Sequence, residues 1–323
     1  MKTHKIKVLA QWFLFVLSLA CVDYPQTSNS DEPIKVNTVL LNVPVVVSDR
    51  NGRNIAGLTK DNFSITQGGE KQPIEFFANQ DDPMNVAIII DSSGSTAFVI
   101  GSIIDAARSF VDLFSPNDKG LVVSFDNEVH VLSKGFTPDK EILKAAISLR
   151  DQPAGRGTIG SVMNDAIYSV ITKQFAEVKG RKAIVVLTDG DVHGKTSRRK
   201  LLDRLIESDV VVYPIFFQTR PLINSRRKTI TYSELVKISP VDYLNSIALA
   251  TGGKLIAADG SNFDTAFQNI ADELRKMYIL GFYPSSTGSE EANDIKIDVD
   301  RVDSVVRSRR TIRIKTPSAK DNK

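Results

Sequence analysis

Three side chains within five residues, Asp91, Ser93 and Ser95 of the run Asp91-Ser92-Ser93-Gly94-Ser95, set one carboxylate and two hydroxyls on a loop that follows the apolar run NVAIII. Hard oxygen donors suit a hard divalent cation. Magnesium takes octahedral oxygen geometry and keeps several waters, so two hydroxyls, water-bridged carboxylates and one vacant position make a plausible shell, which manganese or calcium would also accept. A second carboxylate, Asp189, ends the run KAIVVLTD and precedes Gly190, so it projects from the same sheet edge as Asp91. The competing reading of DSSGS is a helix N-cap loop, because Asp and Ser are common caps and glycine suits turns.

Other chemistries lack their parts. The three histidines, His4, His130 and His193, form no zinc-ligand spacing, and His4 falls in the leader. The string GDVHGKTS resembles the end of a phosphate-binding loop, but the motif needs glycine where Asp189 stands. There is no Ser-His-Asp set and no reactive cysteine for nucleophilic hydrolysis. An aspartyl-phosphate enzyme would want a second aspartate where Ser93 sits. No catalytic residue is therefore assigned and no enzymatic activity is expected.

The elements that must position these residues alternate between strands and helices. Apolar runs at Asn85 to Asp91, Gly120 to Asp126, Lys182 to Asp189 and Asp209 to Phe217, with a short KLIAA at Lys254, read as strands, several of them apolar enough to be covered on both faces. Between them Phe98, Ile103, Ile104, Ala107, Phe110, Val111 and Phe114 recur at helical spacing, as do Met163, Ala166, Ile167, Val170 and Ile171. Further helices are predicted over 138–149, 197–208, 241–251 and 263–277. The expected fold class is α/β, a doubly wound, mostly parallel sheet with helices on both faces, with its functional crevice at the carboxyl ends of the strands.

The loop D-x-S-x-S after an apolar strand, Thr188-Asp189-Gly190 after a later one, and the α/β alternation together resemble the von Willebrand factor A family over about residues 85–276. That resemblance implies a Rossmann-like fold with a metal-ion-dependent adhesion site. It also implies a third-loop hydroxyl, for which the segment AGRGTIGSVMNDAIYSV offers two candidates. Thr158 has the family's residue type after Gly157. Ser161 has the better register, with Ala166 and Ile167 five and six positions on. The metal set implied is Asp91, Ser93, Ser95, Ser161 or Thr158, and Asp189. The wider layout, with GLTKDNFSITQGGEKQPIEFF before the domain and YILGFYP after it, resembles the acidobacterial group of von Willebrand factor A related proteins.

The remaining organisation is a leader, a linker and two β segments. Residues 1–20 read as a signal peptide: a basic start, then thirteen largely apolar residues from Val8 to Ala20, too few for a span. Cys21, the only cysteine, sits where a lipoprotein would be acylated, although Ser18 holds the place where leucine is preferred; free secretion and lipidation are both compatible with it. Residues 21–34 read as a linker, 35–82 as an N-terminal β segment, 84–277 as the α/β domain, 278–316 as a C-terminal β segment and 317–323 as a tail. Neither β segment has enough strands to bury a core alone, so the two are expected to combine into one small flanking β domain.

The 41 basic against 38 acidic residues give a net charge of only +3, which argues for neither nucleic acid nor a membrane surface as partner. Local charge is more informative. Lys195, Arg198, Arg199 and Lys200 follow the Asp189 loop, and Arg220, Arg226, Arg227 and Lys228 follow the strand ending at Phe217; with Arg156 they are either a basic rim that steers an acidic partner or a solvated helix start and an insertion. The expected function is that of an exported protein, periplasmic, secreted or anchored through Cys21. Its cation captures an acidic group of a protein partner. The alternatives are a structural subunit of a cell-envelope assembly docking through its β domain and, with least support, a metal-dependent hydrolase.

Overall fold

A computed structural model describes residues 40–79, 82–97, 99–148, 161–218, 239–258, 262–285 and 292–313, all within one compact unit, Thr38–Lys323. Its centre is a six-stranded sheet. The strands are β5 (Met84–Asp91), β6 (Lys119–Phe125), β7 (Val129–Val131), β8 (Arg181–Thr188), β9 (Val211–Phe217) and β10 (Ile256–Ala258), in the order β10-β9-β8-β5-β6-β7. All neighbours are parallel except β6 and β7.

Every residue of β5 is buried, because helices cover both faces of the sheet. The two-residue period divides its apolar side chains. Val86, Ile88 and Ile90 pack with α1 (Ile100–Asp112), α2 (Lys140–Ile147) and α6 (Phe263–Lys276). Ala87 and Ile89 pack on the other side with α3 (Met163–Ser169), α4 (Arg198–Glu207) and α5 (Pro240–Thr251). The fold is thus the doubly wound, mostly parallel α/β class that the alternation implies. After β5 the chain moves to β6 on one side and later returns to β8 on the other. The topological switch therefore falls between the carboxyl ends of β5 and β8, where open α/β sheets place their ligands.

Local differences from the sequence reading have physical reasons. The helical run from Met163 continues past Ser169 as a π-helical turn, Val170–Gln174. The edge strand β7 has only three residues, Val-His-Val, too short for a period to show. Phe98 lies outside the described residues, and α1 begins at Ile100. Helix α5 stops at Gly252, whose φ of 80° suits a residue without a Cβ.

The flanking strands make two further four-stranded sheets. One has the order β13-β1-β11-β4 and the other β14-β12-β2-β3, using β1 (Leu41–Asp49), β2 (Phe63–Gln67), β3 (Glu70–Gln72), β4 (Phe76–Ala78), β11 (Tyr278–Phe282), β12 (Ala292–Val299), β13 (Ser304–Ser308) and β14 (Thr311–Arg313). Each sheet mixes strands from before and after the α/β domain. Val43, Val45 and Val47 of β1 and Tyr278, Leu280 and Phe282 of β11 share a core with Ile65, Ile295 and Ile312 of the second sheet. The alternate residues Val46 and Ile279 instead enter the α/β core. The central strands β1 and β11 of the first sheet are therefore buried on both faces, and strand period decides which side chain serves which core.

Candidate functional site: a carboxylate ringed by hydroxyls

Asp91 is the last residue of β5 and has no solvent exposure. The chain leaves the strand clipped to its neighbour, because the Ser92 N–H and Oγ both donate to the Phe125 carbonyl, at 2.8 and 3.1 Å. The Ser93 N–H then turns back to Asp91 Oδ1 at 3.0 Å. Ser93 Oγ and Ser95 Oγ lie 3.0 Å apart, held by a 3-10 turn over Gly94–Thr96 in which Thr96 Oγ1 donates to the Ser93 carbonyl. Neither serine hydroxyl caps a helix: Ser93 makes no side-chain cap bond and the N-cap of α1 is Val99.

The other carboxylate oxygen, Asp91 Oδ2, collects hydroxyls from two further loops. Thr188 Oγ1, at the end of β8, donates to it at 3.1 Å, and Ser161 Oγ, just before α3, at 3.4 Å. Ser161 is 2% exposed and is fixed from two directions. The N–H of its neighbour Val162 donates to the Asp126 carbonyl beyond β6, and the Ser161 carbonyl accepts from His193 N–H at 2.7 Å. Asp189 follows Thr188 and is half-buried. Thr158, the other third-loop candidate, lies outside the described residues.

Burial pushes the Asp91 carboxyl up to about 6, and the Asp189 charge adds to the rise against the opposing hydrogen bonds from Ser93 and Thr188. This is the electrostatic signature of a place that lacks positive charge. Among the described residues no Lys or Arg pairs with Asp91, and no three His, Cys, Asp or Glu side chains cluster as metal ligands. The donors that do converge, two carboxylates and a set of hydroxyls, are all hard oxygens. They fit a magnesium-like cation and do not fit a thiolate or imidazole zinc site.

Thr188 is a contact that sequence reasoning passed over, although its position beside Asp189 on a strand end was visible. Two other overlooked residues hold the site's loops together. Asp165 accepts the Lys195 and Thr196 N–H groups at 2.8 and 2.7 Å. Burial raises its pKa, but those bonds outweigh it and hold the carboxyl below the usual range. Asn164 donates to the Thr196 carbonyl at 3.0 Å and accepts from Tyr243 Oη at 2.8 Å. The signal for both was polarity inside the apolar stripe Met163, Ala166, Ile167. Gly194 is part of the same arrangement: its φ is 108°, and a Cβ there would sit 2.3 Å from Asp165 Oδ2. Asp165→Ala should free the loop between Gly190 and Thr196. The expected result is a stability loss of about 1–3 kcal/mol for two orphaned amides, read by denaturant unfolding, with faster amide exchange at Lys195 and Thr196 than in Asp165→Asn.

The basic rim is only partly present among the described residues. Lys195 is exposed. Arg198 lies over the Tyr243 ring, 4.4 Å from its centroid, Lys200 lies over Tyr168 at 4.7 Å, and Arg199 pairs with Asp203 at 3.9 Å, so these three are engaged by α3, α4 and α5. Arg156, Arg226, Arg227 and the acylation candidate Cys21 lie outside the described residues.

The sequence profile of the von Willebrand factor type A domain matches residues 85–241, which span β5 to the start of α5 and contain Asp91, Ser93, Ser95, Ser161, Thr188 and Asp189. Residues 85–241 are a von Willebrand factor type A domain. No curated protein matches the sequence. Among solved structures, the chain is similar to a von Willebrand factor type A protein from Catenulispora acidiphila, with 12% identity over 86% of this chain and 75% of that one, at a TM-score of 0.47. It is similar to an aerotolerance-related membrane protein from Bacteroides fragilis, with 20% identity over 59% of this chain and 98% of that one, at 0.45. It is also similar to proximal thread matrix protein 1 of the mussel byssus, solved with a zinc-occupied MIDAS motif, with 19% identity over 59% of this chain and 48% of that one, at 0.43. The type A domain here has its site at the switch point of the sheet and the two β sheets packed beside it.

Proposed function

We propose that this chain is an exported, cation-dependent protein-binding module. Type A domains are in general interaction modules that use a divalent metal. The observation that carries the reading is the buried Asp91 carboxylate, with hydroxyls of Ser93, Ser95, Ser161 and Thr188 around it and the Asp189 charge beside it. Asp91, Ser93, Ser95, Ser161 or Thr158, and Asp189 would hold the ion, with magnesium the first candidate. A cation bound there supplies a vacant coordination position for an acidic side chain of a partner protein.

The protein's own residues do the rest. Ser161 and Thr188 point their hydroxyl protons at Asp91, which leaves the Ser161 oxygen lone pairs for a cation, while Thr188 Oγ1 also accepts the Gly190 N–H at 3.0 Å. The Ser92 and Asp165 hydrogen bonds fix the loops before any partner arrives, which lowers the ordering cost of binding. No group in the site is placed as nucleophile or general base, and we propose no catalytic step. The basic leader and apolar run before Ala20 support export, with Cys21 as the anchor point if the chain is lipidated.

A pull-down from an envelope extract, with magnesium and with chelator, tests the reading. Capture should require magnesium and should be lost in the Asp91→Ala, Ser93→Ala double variant. Equal capture by that variant, or in chelator, would overturn it.

A further inference from the structure

β12 and β13 are consecutive strands, joined through Asp300–Asp303, yet they belong to different sheets. β12 pairs with β2 and β13 pairs with β1, so the two part company at the turn and leave a groove of about 750 Å³ between them. Leu249 of α5 and Val306 of β13 contribute apolar wall to it.

The backbone along this groove is only partly paired. β14 covers the first part of β12, matching Ala292–Asp294 with Thr311–Arg313, and the last bond on that side runs from the Ile295 N–H to the Arg310 carbonyl. In an antiparallel ladder successive residues direct their N–H and C=O to opposite sides. Asp294 accepts from Gly68 and Asp300 donates to Asn62, both toward β2. Ile295 faces the other way, and so by alternation do Ile297 and Val299, of which the Val299 carbonyl already accepts from the Arg301 N–H at 2.9 Å. Beside Ile297, on that side, no strand pairs with β12 among the described residues. The outer edge of β13 is likewise unpaired. Neither edge carries a proline, the usual shield of an exposed strand.

The charges around the groove are asymmetric. Lys296 is neutralised by Asp298 at 2.8 Å, and Arg307 by Glu273 of α6. Arg301 at the turn and Arg310 at the opposite end line the groove, are exposed, and form no ion pair among the described residues. Against them stands Asp294.

We propose that this groove receives an extended segment of a partner protein, which adds a strand to the free edge of β12 at Ile297 and sets acidic side chains against Arg301 and Arg310. An extended chain is what matches the spacing of the unpaired groups, which are the N–H and C=O of Ile297 and the N–H of Val299, and the three residues Ile297 to Val299 offer about 10 Å of edge. The two arginines select its charge. The protein's own residues 314–323 are a poor occupant, since Lys315, Lys320 and Lys323 outnumber Asp321. This surface is separate from the proposed cation site, so the protein would hold partners at two places.

The test uses the full chain in chelator, which silences the cation site. Probes are a fluorescein-labelled heptapeptide of alternating valine and glutamate, its lysine twin, and the glutamate peptide N-methylated at its central amides, all read by anisotropy. The glutamate peptide should bind, with both others about tenfold or more weaker, and should slow amide exchange at Ile297. Arg301→Glu with Arg310→Glu, both surface changes, should reverse the preference toward the lysine peptide. Absence of binding, equal binding of the lysine twin, indifference of the double variant, or exchange protection confined to β3 or β4 would each overturn the proposal. So would a dimer in sedimentation that excludes the peptide, since a second copy would then be the occupant.

Discussion

Asp91→Asn is expected to abolish stabilisation by magnesium while leaving the metal-free protein at least as stable as the parent at pH 7. The substitution keeps the shape and one acceptor for the Ser93 N–H, and the Thr188 and Ser161 hydroxyls can rotate to accept from the new amide. What it removes is a buried charge. The Asp91 carboxyl stands at about 6 in the folded protein against 3.8 when free, a gap that corresponds to about 3 kcal/mol. Because the folded chain holds that proton more tightly, the metal-free parent loses this stability as pH rises from about 4 to about 6, and the Asn variant does not.

A cation reverses the balance for the parent alone. At a magnesium concentration about 100 times the dissociation constant, binding adds about 2.7 kcal/mol, or about 5–10 °C in melting temperature for a domain of this size. Proton and cation compete for Asp91, so affinity should fall as pH drops through about 6. Melting curves of both proteins, with magnesium and with chelator at pH 5 and pH 7.5, check all of this. A cation response retained by Asp91→Asn, or absent from the parent, would sink the assignment of Asp91.

Removing residues 278–323 is expected to unfold the segment from Leu40 to Asn79, although that segment is untouched in sequence. Among the described residues the strand partners of β1 are β11 and β13, and that of β4 is β11, so the truncation leaves both without a ladder. It also takes Tyr278, Leu280, Phe282, Ile295, Ile297 and Ile312 from a core of thirteen buried side chains. At about 1.5–3 kcal/mol each, that loss is about 9–18 kcal/mol, as large as the whole stability of a small domain or larger. The type A domain should lose stability too. Ile279 leaves its core, and the ion pair of Arg307 with Glu273 on α6 disappears. Limited proteolysis should trim the truncated chain to near Asp82, and its melting temperature should fall by about 10 °C or more. An unchanged proteolysis pattern would mean that the first four strands fold without the last four.

The sequence by itself determined the class of the fold and much of the candidate site. Runs such as VAIII and AIVVL are too apolar for a one-sided sheet, so they required helices on both faces, and that alternation places strand-end residues such as Asp91 and Asp189 at one crevice. The choice of donor chemistry was equally local, since Asp91, Ser93 and Ser95 sit within five residues. The register that favoured Ser161 came instead from the resemblance to the von Willebrand factor A family, which sets a small and an aliphatic residue where Ala166 and Ile167 stand.

Tertiary structure decided what depends on distance between separate loops. That Thr188 and Ser161 reach the same oxygen of Asp91, that Asp165 and Asn164 tie the loops beneath it, and that Arg198 rests on Tyr243 are consequences of which strand ends are neighbours. A local pattern carries period and polarity but not adjacency. The same holds for the flanking strands: alternation marks Val43, Val45 and Val47 as one face, but only the packed molecule shows that this face meets strands more than two hundred residues away, and that Val46 between them belongs to the other core.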